Sequence, residues 1–224
     1  MSAIETSLSQ EGIKLRLTEI FYSLQGEADT VGCPTVFIRL TGCPLRCQYC
    51  DTAYAFTGGQ WYSLAQIMAQ VADYHCTYVT VTGGEPLAQK NCLSLLTALC
   101  EANYRVSLET SGALPLRDVD SRVVKVMDIK TPGSGESHKN LFENLDALTH
   151  QDLVKFVICD AADFSWAQMC MEKHDLIQRC QVLFSPSYTQ LPPTTLAQWI
   201  LDARLKVRFQ IQLHKVLWGD TPGR

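Results

Sequence analysis

The chain has 224 residues, 46% of them hydrophobic and 19% charged, with a formal net charge of −4. That balance describes a folded globular protein large enough for one α/β domain spanning residues 1–224, and it excludes a disordered chain. The slight excess of acid gives no bulk attraction for DNA, RNA or an anionic membrane, so neither nucleic acid nor membrane is expected as a partner.

The first residues, MSAIETSLSQEG, carry no basic segment followed by an apolar one. No later run approaches the roughly 18 apolar residues of a spanning helix, so a cytoplasmic location is expected. Residues 14–21 (KLRLTEIF) alternate, and residues 35–40 (TVFIRL) are rich in β-branched and aromatic side chains, so both are predicted strands. A cysteine-bearing loop, residues 41–52, follows the second. Leu64, Ile67, Met68 and Val71 then share a helical face, with Ser63 and Gln66 placed as a capping box. Residues 78–82 (YVTVT) form a short apolar strand ending at Gly83-Gly84, and Leu93, Leu96, Leu99 and Cys100 mark the next helix. Further strands are predicted at 105–110, 123–129, 152–158, 181–185 and 208–213, with helices at 164–172 and around Leu196, Trp199, Ile200 and Ala203. Repeated β-α units imply a parallel sheet with right-handed crossovers, either doubly wound or curled into part of a barrel. In both, chemistry gathers at the C-terminal strand ends. The cysteine loop, Gly83-Gly84-Glu85-Pro86, Glu109-Thr110 and Asp128-Ile129-Lys130 each follow a strand and so share one rim.

The chain holds ten cysteines. Without a signal peptide, and well below disulfide-scaffold density, most are expected to be reduced. Cys33, Cys76, Cys92, Cys100, Cys159, Cys170 and Cys180 are scattered and are expected to act as small buried apolar residues. Only Cys43, Cys47 and Cys50 are grouped, as C-x3-C-x2-C in TGCPLRCQYCDT. A structural zinc site closes with four ligands, so zinc would need Cys33, His75 or Cys76 from a distance. An iron–sulfur cubane held by three thiolates instead leaves one iron open to a small molecule.

The segments CPLRCQYCD and TGGEP together resemble the radical S-adenosylmethionine (SAM) enzymes. The resemblance implies an abbreviated β/α barrel with parallel strands, a [4Fe–4S] cluster on Cys43, Cys47 and Cys50, and SAM chelated to the open iron. A reduced cluster of this kind cleaves SAM to a 5′-deoxyadenosyl radical that takes hydrogen from a substrate. It also implies SAM contacts at Tyr49, Cys50, Asp51, Gly84, Glu85, Asp128, Ile129, Lys130, Ser185, Pro186, Ser187 and Tyr188. Glycines 83 and 84 would let the backbone approach, and the Glu85 carboxylate would accept from the SAM ammonium.

Within that superfamily, SLQGE, FIRL followed by GC, CDT, and the closing QIQLHKVLWGDTPGR look like the 7-carboxy-7-deazaguanine synthase family of queuosine biosynthesis. This resemblance implies conversion of 6-carboxy-5,6,7,8-tetrahydropterin to the deazapurine with loss of ammonia, Mg²⁺ dependence, a homodimer, and an electron donor such as flavodoxin. Leu24, Gln25, Gly26 and Glu27 would meet the pterin edge, Arg39 its carboxylate, Thr82 the mouth of the same cleft, and Thr52 the Mg²⁺. The chain departs from the family pattern at Ala28, where glycine is usual, and at Asp128-Ile129-Lys130, where Ser-Pro-Lys is expected. His214 and Lys215 either face substrate or end a core strand, and the strand end is preferred for His214. A glycyl-radical-enzyme activase explains the cysteine loop but not SLQGE. A zinc-stabilised binding module is a third reading, separable by an iron and sulfide count.

Overall fold

The computed structural model describes residues 12–223, so the targeting-signal reading of residues 1–11 lies outside the described residues. Two strands open the fold, β1 (Lys14–Leu24) and β2 (Pro34–Leu40). They pair antiparallel from Leu24↔Pro34 to Leu17↔Leu40, with an irregularity between Leu17 and Glu19. The repeated β-α pattern led to the expectation of a parallel sheet, and this hairpin adds an antiparallel pair ahead of it. Only residues 25–33 join the two strands, too few for the dozen or so that a parallel crossover needs.

Strand β3 (Gln60–Ser63) has no counterpart in the sequence reading and pairs antiparallel with β1 at the sheet edge. Its four residues are short of a readable period, and Trp61 is largely exposed. Helix α1 (Leu64–Asp73) starts where expected: Gln66 N–H donates to Ser63 Oγ at 3.2 Å and Ser63 N–H to Gln66 Oε1 at 2.8 Å. The chain then runs through β4 (Tyr78–Gly83), α2 (Cys92–Glu101), β5 (Arg105–Thr110), β6 (Val124–Asp128) and β7 (Leu153–Ile158). It continues through α3 (Ala161–Lys173), α4 (Leu176–Arg179), β8 (Gln181–Pro186), α5 (Pro193–Asp202), β9 (Arg208–Phe209) and α6 (Leu213–Trp218). Sheet order is β3-β1-β2-β4-β5-β6-β7-β8-β9, parallel from β2 to β9, with β3 and β9 at its two edges. The outcome is the expected abbreviated barrel, an open curl rather than a closed ring.

Helices cover the outer face of the sheet, where Ile67, Val71, Leu96, Leu99, Ala167 and Leu196 are fully buried against strand residues such as Ile38, Val81 and Phe156. Phe184 meets Phe156 and Phe164 edge to face, and Phe164 packs at a tilt on Trp199. Five of the scattered cysteines are buried as expected, whereas Cys33 and Cys76 are half-exposed beside the strand entrances.

The predicted strand at 208–213 shrinks to the two residues of β9. Gln210 turns the chain, its side-chain amide giving Ala28 both ladder bonds: Ala28 N–H donates to Oε1 at 2.7 Å and Nε2 donates to Ala28 C=O at 2.8 Å. Ala28 is thereby held at φ 61, a left-handed conformation in which glycine is comfortable and alanine strained. Leu213 then begins α6, so His214 stands on a helix rather than ending a core strand.

At the opposite end of the barrel from the cysteine loop, Lys125 Nζ lies 3.1 Å from Asp152 Oδ2, with side-chain exposures of 4% and 0%. Asp152 also accepts from Lys125 N–H at 2.8 Å and from Thr149 N–H at 2.7 Å, tying β6 to the turn before β7. Removing one partner strands a buried charge, so Asp152→Ala is expected to cost about 3–5 kcal/mol in urea unfolding. A loss under ~1 kcal/mol would contradict that account.

Candidate active site

The C-terminal ends of β2 and β4 to β8, the loop after β1, and α6 enclose a cavity of about 640 Å³. That is the size of a small-molecule site. Cys43, Cys47 and Cys50 line one wall. Their loop is pinned to its neighbours: Gly42 N–H donates to Ala55 C=O at 2.8 Å, and Glu85 N–H to Gly42 C=O at 2.9 Å. A Cβ at Gly84 would sit 2.6 Å from Cys43 Cβ, so glycine there is what allows β4's end to touch the cysteine loop.

Leu45 N–H points at Cys43 Sγ at 3.4 Å, and Cys50 N–H closes a turn on Cys47 C=O at 3.2 Å. Burial pushes the Cys47 thiol up to about 11 and raises Cys43 too, with Lys130 pulling against it in both. A bound cationic group would have to supply the charge that keeps these sulfurs as thiolates. Among the described residues, no three His, Cys, Asp or Glu side chains are placed to hold a metal ion. The donor set fits a cubane, which takes each thiolate on a separate iron, better than a single-ion site.

Glu85 does not line the cavity. Fully buried, its carboxylate accepts from Leu87 N–H (3.1 Å), Thr110 Oγ1 (2.9 Å), Ser111 N–H (2.8 Å) and Ser111 Oγ (2.5 Å). Those donors occupy the acceptor positions a carboxylate offers, so Glu85 fastens β4 to β5 where the sequence reading had it facing a ligand. Ile129 is likewise turned into the core, its N–H donating to Lys155 C=O at 2.9 Å. The other predicted SAM-side residues, Tyr49, Cys50, Asp51, Gly84, Asp128, Lys130, Ser185, Pro186, Ser187 and Tyr188, all line the cavity. Tyr49 OH and Asp128 Oδ1 are buried there without a hydrogen-bond partner.

Leu24, Gln25, Gly26, Glu27, Arg39, Thr52 and Thr82 line the same cavity. Gln25 already spends its amide on the protein, donating to Thr80 Oγ1 at 2.9 Å and accepting from Glu27 N–H at 3.3 Å. Arg39 Nε donates to Glu19 Oε1 at 2.7 Å, which leaves the outer guanidinium nitrogens beside the stacked rings of Phe21 and Phe37. A Cβ at Gly26 would collide with the His214 imidazole, so that glycine lets α6 close over the cavity. Gln212 Nε2 reaches Asp51 Oδ2 at 3.1 Å. Burial opposes the Asp51 charge, but Lys215 and Lys155 outweigh it and hold the carboxyl below its usual range.

Two titratable cavity residues, Glu109 and Lys155, had no ligand role in the sequence reading, and His214, preferred there as a strand end, also lines the cavity. Lys155 sits inside an apolar strand, DLVKFVI, and that mismatch was the available signal, whereas Glu109 sits in the mixed strand RVSLET, where nothing local marks it. Lys155 Nζ lies 2.5 Å from Glu27 Oε2, and burial of its charge is more than offset by Glu27 and Asp128. Burial pushes Glu109 up to about 7, with Glu27 adding to the rise and Lys155 and Arg39 opposing it.

Residues 37–126 match the model of the radical SAM superfamily. A 7-carboxy-7-deazaguanine synthase of Chlorobaculum tepidum is 43% identical over 208 residues, 92% of this chain and 94% of that protein. One of Koribacter versatilis is 41% identical over 225 residues, 93% of this chain and 100% of that protein. The crystal structure of QueE from Escherichia coli superposes with a TM-score of 0.76 at 22% identity, covering 92% of this chain and 98% of that one. At that identity the likeness is one of fold.

Two outcomes follow from the carboxylates. Glu85→Ala leaves several buried donors unpaired, at about 1–3 kcal/mol each. It should therefore lower unfolding stability by more than ~3 kcal/mol in protein free of any ligand, and unchanged stability there would rule out the fastening role. Glu109 has a folded pKa of about 7 against an ordinary 4.5, so between those values the folded state binds more protons than the unfolded. Its contribution thus declines as pH rises through that window. Urea titrations at pH 5 and 7.5 should show Glu109→Gln gaining on the wild type, and a constant difference would count against the raised pKa.

Proposed function

The chain belongs to the 7-carboxy-7-deazaguanine synthase family of radical SAM enzymes, and we propose that its cavity converts 6-carboxy-5,6,7,8-tetrahydropterin to 7-carboxy-7-deazaguanine with release of ammonia. The observation that carries this reading is that one cavity is lined both by the three thiols and by Gln25, Glu27, Arg39 and the Phe21–Phe37 stack. Cys43, Cys47 and Cys50 would hold the [4Fe–4S] cluster, and SAM would lie against Tyr49, Cys50, Asp51, Gly84, Asp128, Lys130 and the segment 185–188, with Glu85 and Ile129 supporting that wall from behind. When bound, cluster and SAM supply a radical that abstracts hydrogen.

The protein's part is placement. Glu27, paired with Lys155, accepts from the pterin's N–H groups, while the outer nitrogens of Arg39, steadied by Glu19, take the substrate carboxylate in a bidentate pair. A flat ring held at both ends presents C6 in one orientation, and orientation decides which hydrogen is taken. The Thr52 hydroxyl, 3.8 Å from Cys50 Sγ, would offer an oxygen ligand to Mg²⁺. The enzyme acts in the cytoplasm as a homodimer, reduced by a donor such as flavodoxin. Among the described residues no helix is long and apolar enough to cross a membrane.

Substrate deuterated at C6 tests the assignment. Deuterium is expected in 5′-deoxyadenosine or recovered SAM by mass spectrometry, with deazaguanine formed. Arg39→Ala should raise KM for the pterin roughly tenfold or more, the cost of a lost charge-assisted pair, with cluster content unchanged. Unlabelled SAM products together with a glycyl radical on an added partner protein would sink the proposal in favour of an activase.

A further inference from the structure

Lys155 occupies the middle of β7, where the strand is otherwise apolar, and its side chain is 11% exposed. Its ammonium stands between two cavity-lining carboxylates from different elements, one in the loop after β1 and one at the end of β6. Glu27 Oε2, on the wall assigned to the pterin, is 2.5 Å away, and Asp128 Oδ2, on the wall assigned to SAM, is 3.7 Å away. Asp128 Oδ2 also meets Lys130 Nζ at 3.0 Å, whereas Asp128 Oδ1 is buried with no partner. An unpaired carboxylate oxygen out of water is costly unless a ligand supplies a donor. Asp128 stands where the family resemblance leads one to expect serine.

We propose that Lys155 is a positioning residue that couples the two ligand subsites, an inference that rests on the functional reading above. The ammonium is held at Glu27 as long as that carboxylate has no other donor. Once the N–H groups of a pterin share Glu27, the hold weakens and the ammonium moves toward Asp128 Oδ2. That fixes the carboxylate with Oδ1 turned into the cavity, ready to accept from a hydroxyl or N–H group of SAM. Binding at either wall therefore strengthens binding at the other, and by linkage the factor is the same in both directions.

The test uses cluster-loaded protein with no reductant, so that no turnover follows, and titrates SAM with and without 6-carboxy-5,6,7,8-tetrahydropterin. In the wild type the pterin is expected to lower the Kd of SAM by about fivefold or more, the low end of ordinary site-to-site coupling. In Lys155→Met that ratio should fall to near one, Lys155→Arg should restore most of it, and Asp128→Ser, which leaves the Lys155–Glu27 pair intact, should also flatten it. A wild type that binds pterin with unchanged SAM affinity overturns the coupling, as does a Lys155→Met protein that keeps the full ratio. If Lys155→Met fails to fold, Asp128→Ser decides, and an undiminished ratio there overturns it. No pterin binding by the wild type overturns the functional reading and the coupling together.

Discussion

Glu85 gathers four donors inside the protein, with no exposure to solvent, and its backbone N–H reaches back to Gly42. Through that one residue the ends of β2, β4 and β5 are bound to each other, and each of those ends carries part of the site: the cysteine loop, the Gly83-Gly84 turn and Glu109. A buried carboxylate is tolerable only when its lone pairs are all met, so the hydroxyls of Thr110 and Ser111 are as much a part of the arrangement as Glu85 itself. The missing Cβ at Gly84 is the steric half of the same constraint, since any side chain there would meet Cys43.

On this tied rim the cavity sets cations against carboxylates in a way that bulk charge does not reveal. A chain with a net charge of −4 buries Lys130 and Lys155 together with Glu27, Glu109 and Asp128 around one space. Each charge is tolerated because an opposite one lies close by, and Glu109, removed from water and flanked by a like charge in Glu27, is the member driven toward its neutral form. A site of this kind already contains the donors and acceptors a polar heterocycle needs, fixed before any ligand arrives.

Closure over the cavity comes from the end of the chain. Gln210 imitates a strand by pairing its amide with Ala28, and the helix that follows brings His214 onto Gly26. The strain of Ala28 at φ 61 is held in place by that pairing. Residues almost two hundred positions apart thus form one wall, each bent by the other.

The sequence by itself determined the periodic elements and the rim. Alternation marked β1, the helical face and capping box marked α1, and the rule that chemistry follows strand ends placed the cysteine loop, Gly84, Asp128 and the 185–188 segment on what is now one cavity. These signals are local: a period, a cap and a ligand spacing each fit within a dozen residues. Only the tertiary structure decided that β1 and β2 form a hairpin, that β3 exists, that 210–218 turns from strand to helix, and that Glu85 and Ile129 face inward. It also decided that Lys155 meets Glu27, from which it is separated by 128 positions. The direction of a carboxylate depends on which donors surround it, and those donors come from other strands, so no stretch of sequence around Glu85 carries the information. Burial and partnership belong to the assembled sheet, whereas spacing and period belong to the chain.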